Sequence, residues 1–268
     1  MTNSFKADVL VVKLSGKALT ADKALDALFA ALASSAASAE RTRVVLVHGG
    51  GVEVDALMRG LGRPIDRIEG LRVSPAEDMP VIAGALAGTC SLKLRGAAQR
   101  AGLMPLGLCA TDAGIGRVVP ADPRLGRVGV IEPGDSAAKR RLQALLDAGF
   151  TPVISSVGMD AAGALWNINA DDAAVASAAL LGAPLIFLSD VPGVLDANKH
   201  LFEQLNEKQA ETLIAEGVIS GGMTVKVRAA FRAAAMTGKP VAAASVFDPM
   251  LPNKLASGQL PGTTFTLE

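Results

Sequence analysis

Arg43-Val44-Val45-Leu46-Val47-His48-Gly49-Gly50-Gly51 decides how this chain folds. Its first half is a short apolar run rich in valine, the pattern of a strand buried on both faces. Three glycines follow at once and allow a sharp turn, and a helical stretch then runs to about Leu61. Strand, glycine turn, helix is the grammar of a parallel sheet with crossover helices.

The same grammar recurs outward from this point. Residues 8–14 (DVLVVKL) read as a strand and residues 21–37 as an Ala/Leu-rich helix. Ser74-Pro75-Ala76-Glu77 is a helix start in which Ser74 caps, Pro75 suits the first turn and Glu77 completes a capping box. That helix is expected to run to about Ala101, with a break near Gly88. Residues 104–108 form a strand, 114–132 one or two hairpins, 137–148 a helix, 151–155 a strand, and 159–168 a hairpin turning near Gly163. Asn169 caps a helix over 170–181. Residues 184–189, 241–246 and 263–267 read as strands, and 208–216 and 221–237 as helices. No repeat or low-complexity tail interrupts the series. The alternation predicts an α/β three-layer αβα sandwich with a mainly parallel central sheet, the hairpins lying at its edge or over the site.

Composition narrows the function. At 268 residues a chain can bury about 75% of its unfolded surface, and half of these residues are hydrophobic. The 26 basic and 26 acidic side chains cancel and aromatics are 3%, so neither a basic surface nor a stacking platform for nucleic acid is expected. Cys90 and Cys109 form no C-x-x-C pair and read as small core residues. That usage makes a disulfide framework improbable and the cytoplasm the default compartment. Residues 1–8 lack a signal-peptide pattern. The most apolar stretch, 173–188, is interrupted by Gly182 and Pro184 and flanked by aspartates. It falls short of the about 20 residues a membrane span needs, so no membrane is implied.

Three glycine-bearing turns lie at predicted strand ends: Lys13-Leu14-Ser15-Gly16-Lys17, His48-Gly49-Gly50-Gly51 and Ser189-Asp190-Val191-Pro192-Gly193-Val194. Ligands of open α/β sheets bind beyond the carboxyl ends of the strands. Glycines there expose N–H groups, and a following helix adds its positive end. Each turn alone also reads as a plain tight turn, and Lys13 alone as a solvated strand end; three together point to a phosphate site. Asn167-Ile168-Asn169-Ala170-Asp171-Asp172 reads either as helix capping or as contacts to a polar substrate. Ser220-Gly221-Gly222-Met223-Thr224-Val225-Lys226 opens a helix, with Lys226 either exposed or over phosphates. There is no G-x-x-x-x-G-K-[ST], no G-x-G-x-x-G opening a helix after a strand, no protein-kinase catalytic loop and no G-x-S-x-G. With two histidines and no cysteine pair, no zinc site is expected.

VVKLSGKAL, VLVHGGG, GLRVSPAE, NINADDAA, LSDVPGVL and SGGMTVKV stand in the order seen in acetylglutamate kinases of the amino acid kinase family, which the chain resembles from about Val9 to Val246. The resemblance implies a carbamate kinase-like fold of two lobes. Residues 1–176 would bind the acceptor N-acetyl-L-glutamate and dimerise; residues 177–268 would bind ATP with Mg2+, the metal held through ATP rather than by protein side chains. The reaction implied is phosphorylation of the acceptor's side-chain carboxylate, the second step of the acetylated route to arginine. Lys13 and Lys226 resemble the lysines that stabilise the moving phosphoryl group, and Asp171 the aspartate that orients both. Gly16, Gly49 and Gly50 resemble glycines whose amides face the phosphoryl group and the substrate. Arg72 and Asn167 resemble ligands of the acceptor's α-carboxylate, with Asn169 nearby. Ser15, Gly51, Asp190, Val191, Gly193, Val194, Leu195, Gly222 and Met223 fall in phosphate- and nucleotide-binding segments.

The chemistry fits this resemblance. A carboxylate acceptor is already ionised at neutral pH and needs no general base, so catalysis reduces to positioning and positive charge. One position departs from the family: Ser15 stands where K-x-G-G has its first glycine, and K-L-S-G resembles uridylate kinases. Its backbone N–H is still expected to donate, and its added hydroxyl allows phosphate contact. Uridylate or another acceptor is therefore an alternative, and a non-catalytic sensor of the same fold a further one. Arginine-inhibited members carry an extra N-terminal helix; only residues 1–7 precede the first strand here, so an arginine-insensitive homodimer is expected.

Overall fold

The computed structural model describes residues 7–37 and 42–267; the expectations drawn from residues 1–6 lie outside them. One eight-stranded sheet organises the molecule. Its order is Gln204–Asn206, Thr263–Thr266, Val241–Ser245, Leu185–Ser189, Val9–Leu14, Arg43–His48, Thr151–Ser155 and Pro105–Cys109. The six strands from Val241–Ser245 to Pro105–Cys109 are mutually parallel. Thr263–Thr266 turns antiparallel against Val241–Ser245 and carries Gln204–Asn206 parallel beside it.

Period-two alternation sorts the side chains between layers. On one face Val9 and Val11 join Val45, Val47, Leu185 and Phe187 beneath the helices Ser136–Asp147, Ala170–Leu181 and Gly222–Thr237. On the other, Leu10, Val12 and Leu14 join Leu46 and Leu188 beneath Asp22–Ala37, Ser91–Arg100 and Leu251–Ala256. This is the αβα sandwich with a mainly parallel sheet that the alternation predicts. A separate sheet, ordered Gly116–Pro120, Val128–Pro133, Leu165–Ile168, Val157–Met159, is built from the expected hairpins. The short hairpin Arg67–Ile68/Leu71–Arg72 and the strand Gln204–Asn206 were not legible, being two and three residues long.

Three local expectations are corrected. Ser74 does not cap: its Oγ donates to Arg72 O at 3.1 Å, and the turn Ala76–Asp78 that follows has no side-chain cap. The helix expected to break near Gly88 continues through a π-helical stretch, Gly84–Cys90, into Ser91–Arg100. Cys90 is buried, but Cys109 is only half-buried, because Pro105–Cys109 is the edge of the sheet. Asn169 does cap its helix, its Oδ1 accepting from Asp171 N–H at 2.9 Å.

Candidate active site

Parallel pairing aligns the strand ends. Leu14 stands level with His48 and Leu188, and His48 with Ser155, so the turns after these strands emerge along one edge. A Cβ added to Gly16 would stand 3.3 Å from Gly51 N, and one on Gly49 would stand 3.2 Å from Ala170 Cβ. The first two glycine turns and the N-terminus of Ala170–Leu181 thus converge. Among the described residues, the Gly16 and Gly50 amides have no protein acceptor, while the positive ends of the helices Gly51–Gly60 and Ala170–Leu181 add to the field.

Other amides named from the sequence are already engaged. Ser15 N–H donates to Leu188 O at 2.9 Å, and Gly49 N–H to Leu14 O at 3.4 Å. Ser15 Oγ accepts from Ala18 N–H at 3.3 Å. The Ser15 amide therefore ties the turn to the neighbouring strand Leu185–Ser189, which corrects the expectation that this N–H is offered to phosphate. In the third turn, Val194 N–H donates to Thr263 Oγ1 at 2.9 Å, and Gly193 is required because a Cβ there would lie 2.5 Å from the same oxygen. Leu195 bridges to Leu201. Gly222 begins its helix, and Met223 N–H is tied to Ser220 O at 3.2 Å. Of this group Asp190 is exposed and Val191 half-buried.

Lys13 follows Val9 and Val11 on the face beneath Ala170–Leu181. Its Nζ lies 2.5 Å from Asp171 Oδ1, and both residues are buried. Half-buried Lys226, from the first turn and a half of Gly222–Thr237, lies within electrostatic reach of Lys13, Asp171 and Asp190. Burial and then the Lys13 charge push its ammonium below the usual lysine range, against the pull of the two aspartates. Asp190 also pairs with exposed Lys17, Nζ to Oδ2 2.8 Å. The bond to Lys17 outweighs partial burial and holds its carboxyl below the usual range. The sequence-named Lys13, Asp171, Lys226 and Asp190 are thus brought together.

The second group surrounds Arg72, buried at the end of its hairpin. Its Nη2 pairs with Asp55 Oδ1 and donates to Gly51 O at 3.3 Å. Its buried Nη1 has no partner among the described residues. Half-buried Asn167 donates from Nδ2 to Ser74 Oγ at 3.0 Å, and Ser74 Oγ in turn holds Arg72 O. Asn167 and Arg72 therefore share a scaffold, and Gly51 joins it to the glycine turn. Sequence reasoning missed Asp55, four residues after Gly51 and so on the same helical face. It also missed His48 as a structural part. Burial lowers the His48 pKa to about 4, so the ring is neutral and its Nδ1–H donates to Gly49 O at 2.9 Å, steadying the turn.

Gly50 supplies a direct test of the turn. A Cβ there would fall 2.4 Å from Cys90 Sγ and 3.0 Å from Leu86 Cδ2, both buried on the π-helical stretch. Gly50→Ala is expected to destabilise the protein by about 1–3 kcal/mol through overpacking. Adding Cys90→Ala should recover most of that loss in urea unfolding; no recovery would mean that the turn does not pack on Cys90.

The family model described as the amino acid kinase family matches residues 8–244. An acetylglutamate kinase from Vibrio vulnificus (strain YJ016) is 48% identical over 256 residues, covering 96% of this chain and 96% of that protein. Among solved structures, N-acetylglutamate synthase from Neisseria gonorrhoeae complexed with coenzyme A and N-acetyl-glutamate aligns with a TM-score of 0.81 at 24% identity, over 97% of this chain and 60% of that one. Carbamate kinase from Giardia lamblia bound to AMP-PNP aligns with a TM-score of 0.68 at 17% identity, over 98% and 99%. At these identities the two structures speak to the fold alone.

Proposed function

The chain belongs to the amino acid kinase family, and on that premise we propose that it transfers the γ-phosphoryl group of ATP to the side-chain carboxylate of N-acetyl-L-glutamate, a step of arginine biosynthesis. The observation that carries the reading is the Lys13–Asp171 ion pair, with Lys226 within electrostatic reach of both and the unpaired Gly16 and Gly50 amides on the same edge of the sheet. Little covalent work falls to the protein in such a transfer; it must align two anions and neutralise the equatorial oxygens. Lys13, held by Asp171, and the amides do this from fixed positions, with Lys226 within electrostatic reach, so little reorganisation is needed as charge develops. Magnesium arriving with ATP supplies further positive charge to the phosphates. Asp171 holds Lys13 toward the transfer point and balances the repulsion between the two lysines.

Arg72 and Asn167 hold the acceptor's α-carboxylate, with Asn169 beside them, and the planar guanidinium suits a carboxylate. Asp190, Val191 and the start of Gly222–Thr237 face the nucleotide. The acceptor half corresponds to residues 1–176 and the nucleotide half to 177–268, joined where Val9–Leu14 pairs with Leu185–Ser189. The same reading places the enzyme in the cytoplasm as a homodimer. The homodimer is supported by the half-buried edge strand Pro105–Cys109, with exposed Met104 just before it and exposed Leu92 on the helix packed against it. No described helix is long and apolar enough to cross a membrane.

An ADP-release assay over a panel of acceptors tests the reading, with hydroxylamine trapping of the acyl phosphate. Turnover with N-acetyl-L-glutamate and a trapped hydroxamate are expected; turnover with uridylate alone, or binding without turnover, would overturn it. Ser15 donates its amide to Leu188 O on the neighbouring strand and accepts from Ala18 N–H through its hydroxyl oxygen, so the uridylate alternative is left to the acceptor panel. Arg72→Ala is expected to raise the acceptor KM about tenfold to a hundredfold, the equivalent of a charged hydrogen bond of about 1.5–3 kcal/mol. An unchanged acceptor KM would remove Arg72 from the site.

A further inference from the structure

We propose that Asp55 is the positioning residue for the acceptor-binding guanidinium, an inference that rests on the acceptor site described above. Asp55 lies one helical turn after Gly51 on Gly51–Gly60, so its carboxylate and the Gly51 carbonyl share a face. Arg72 Nη2 is held by both. The second carboxylate oxygen, Oδ2, accepts from Arg67 Nη2 at 2.8 Å. One carboxylate therefore bridges two guanidinium groups, one from each strand of the hairpin Arg67–Ile68/Leu71–Arg72, and ties the hairpin to the helix that begins at the glycine turn.

The bridge orients Arg72. A guanidinium is a rigid planar fork, so fixing Nη2 against Asp55 and Gly51 sets where Nη1 points. That nitrogen is buried and has no partner among the described residues, in a side chain only 8% exposed. A buried cationic N–H left open in this way suits an anionic oxygen of a ligand. Asp55 also supplies the counter-charge that lets two guanidinium groups stand together. Partial burial pushes its carboxyl up, but Arg72 and Arg67 together outweigh burial and hold it below the usual range, so it stays ionised. Asp55 does not reach the acceptor; it acts through Arg72.

The test is steady-state kinetics of the full chain, with N-acetyl-L-glutamate varied at saturating ATP. Asp55→Asn keeps the shape and removes the charge. It is expected to raise the acceptor KM about tenfold while kcat and the KM for ATP stay within about twofold, the signature of lost binding rather than lost chemistry. Asp55→Glu restores the charge on a longer arm and should recover part of the loss. In an Arg72→Ala background, Asp55→Asn should add nothing further, because the two act as one unit. An unchanged acceptor KM in Asp55→Asn, with Arg72→Ala still raising it, overturns the positioning role alone. An unchanged KM in Arg72→Ala overturns the acceptor site and this role with it. A joint fall in kcat and rise in both KM values marks a merely structural residue and also overturns it. Should Asp55→Asn fail to fold, Asp55→Glu carries the comparison: a selective rise in acceptor KM supports the role, and none overturns it.

Discussion

Lys13→Ala lowers kcat about a hundredfold to a thousandfold, with little change in the acceptor KM. Lys13 is the penultimate residue of a buried strand, its ammonium held by Asp171 at 2.5 Å, and the unpaired Gly16 and Gly50 amides lie on the same edge of the sheet. Its charge is worth most when negative charge moves onto the transferring phosphoryl oxygens, and it stands in place before that happens. Losing one such preorganised donor costs about 2.7–4 kcal/mol of barrier, which converts to the stated fall in rate. The acceptor KM is spared because Arg72 and Asn167 belong to a separate scaffold built on Ser74 and Asp55. The coupled ADP-release assay at saturating substrates measures the effect. A loss of less than about threefold would mean that this ammonium does not face the moving phosphate.

Asp171→Asn is expected to cost stability as well as the turnover lost when Lys13 is no longer held in place. The Lys13 and Asp171 side chains are 9% and 12% exposed, and Lys226 adds a second positive charge nearby. Asparagine keeps the volume but leaves Lys13 without its paired carboxylate in a poorly solvated place, with Asp190 still opposing the Lys226 charge. Removing one partner of a buried pair costs about 3–5 kcal/mol, a large part of the about 5–15 kcal/mol that holds a domain folded. Urea unfolding reads this as a lower midpoint at unchanged slope, and a midpoint within error of the parent would show that the pair is effectively solvated. Replacing both partners, as Lys13→Met with Asp171→Leu, should restore much of the stability and none of the activity, because apolar substitutes for a buried pair are often neutral. Together these outcomes would separate what the pair does for the fold from what it does for chemistry.

The strands and the turns between them were readable because their signals are local. Val44 to Val47 followed by three glycines can hardly be anything but a buried strand running into a turn, and Asn169 before an apolar helical run is a cap wherever the chain goes next. The Ser74 cap failed for the opposite reason. A free Ser-Pro-x-Glu start would cap, but here Ser74 Oγ is recruited by Arg72 O and Asn167 Nδ2, partners 2 and 93 residues away in sequence. The Ser15 amide was assigned to phosphate by analogy with neighbouring glycines, yet the parallel strand Leu185–Ser189 supplies its acceptor. Asp55 carried no signal at all, since an aspartate on the first turns of a helix reads as a solvated residue until Arg67 and Arg72 are folded over it.

By itself, then, the order of residues determined the layered α/β architecture, the turns that edge the sheet, and the identity of the charged groups available there. Each of these follows from periodicity, glycine freedom or capping, properties that act within a few residues. Only the tertiary structure decided which groups meet. Parallel pairing of Val9–Leu14 with Arg43–His48 and Leu185–Ser189 carries Lys13, Gly50 and Asp190 to one edge, and crossover helices bring Asp171 and Lys226 to them. Coulomb energy and hydrogen bonding fall off over a few ångströms, so it is this packing, and not the presence of the residues, that turns two lysines and an aspartate into a site for a transferring phosphate.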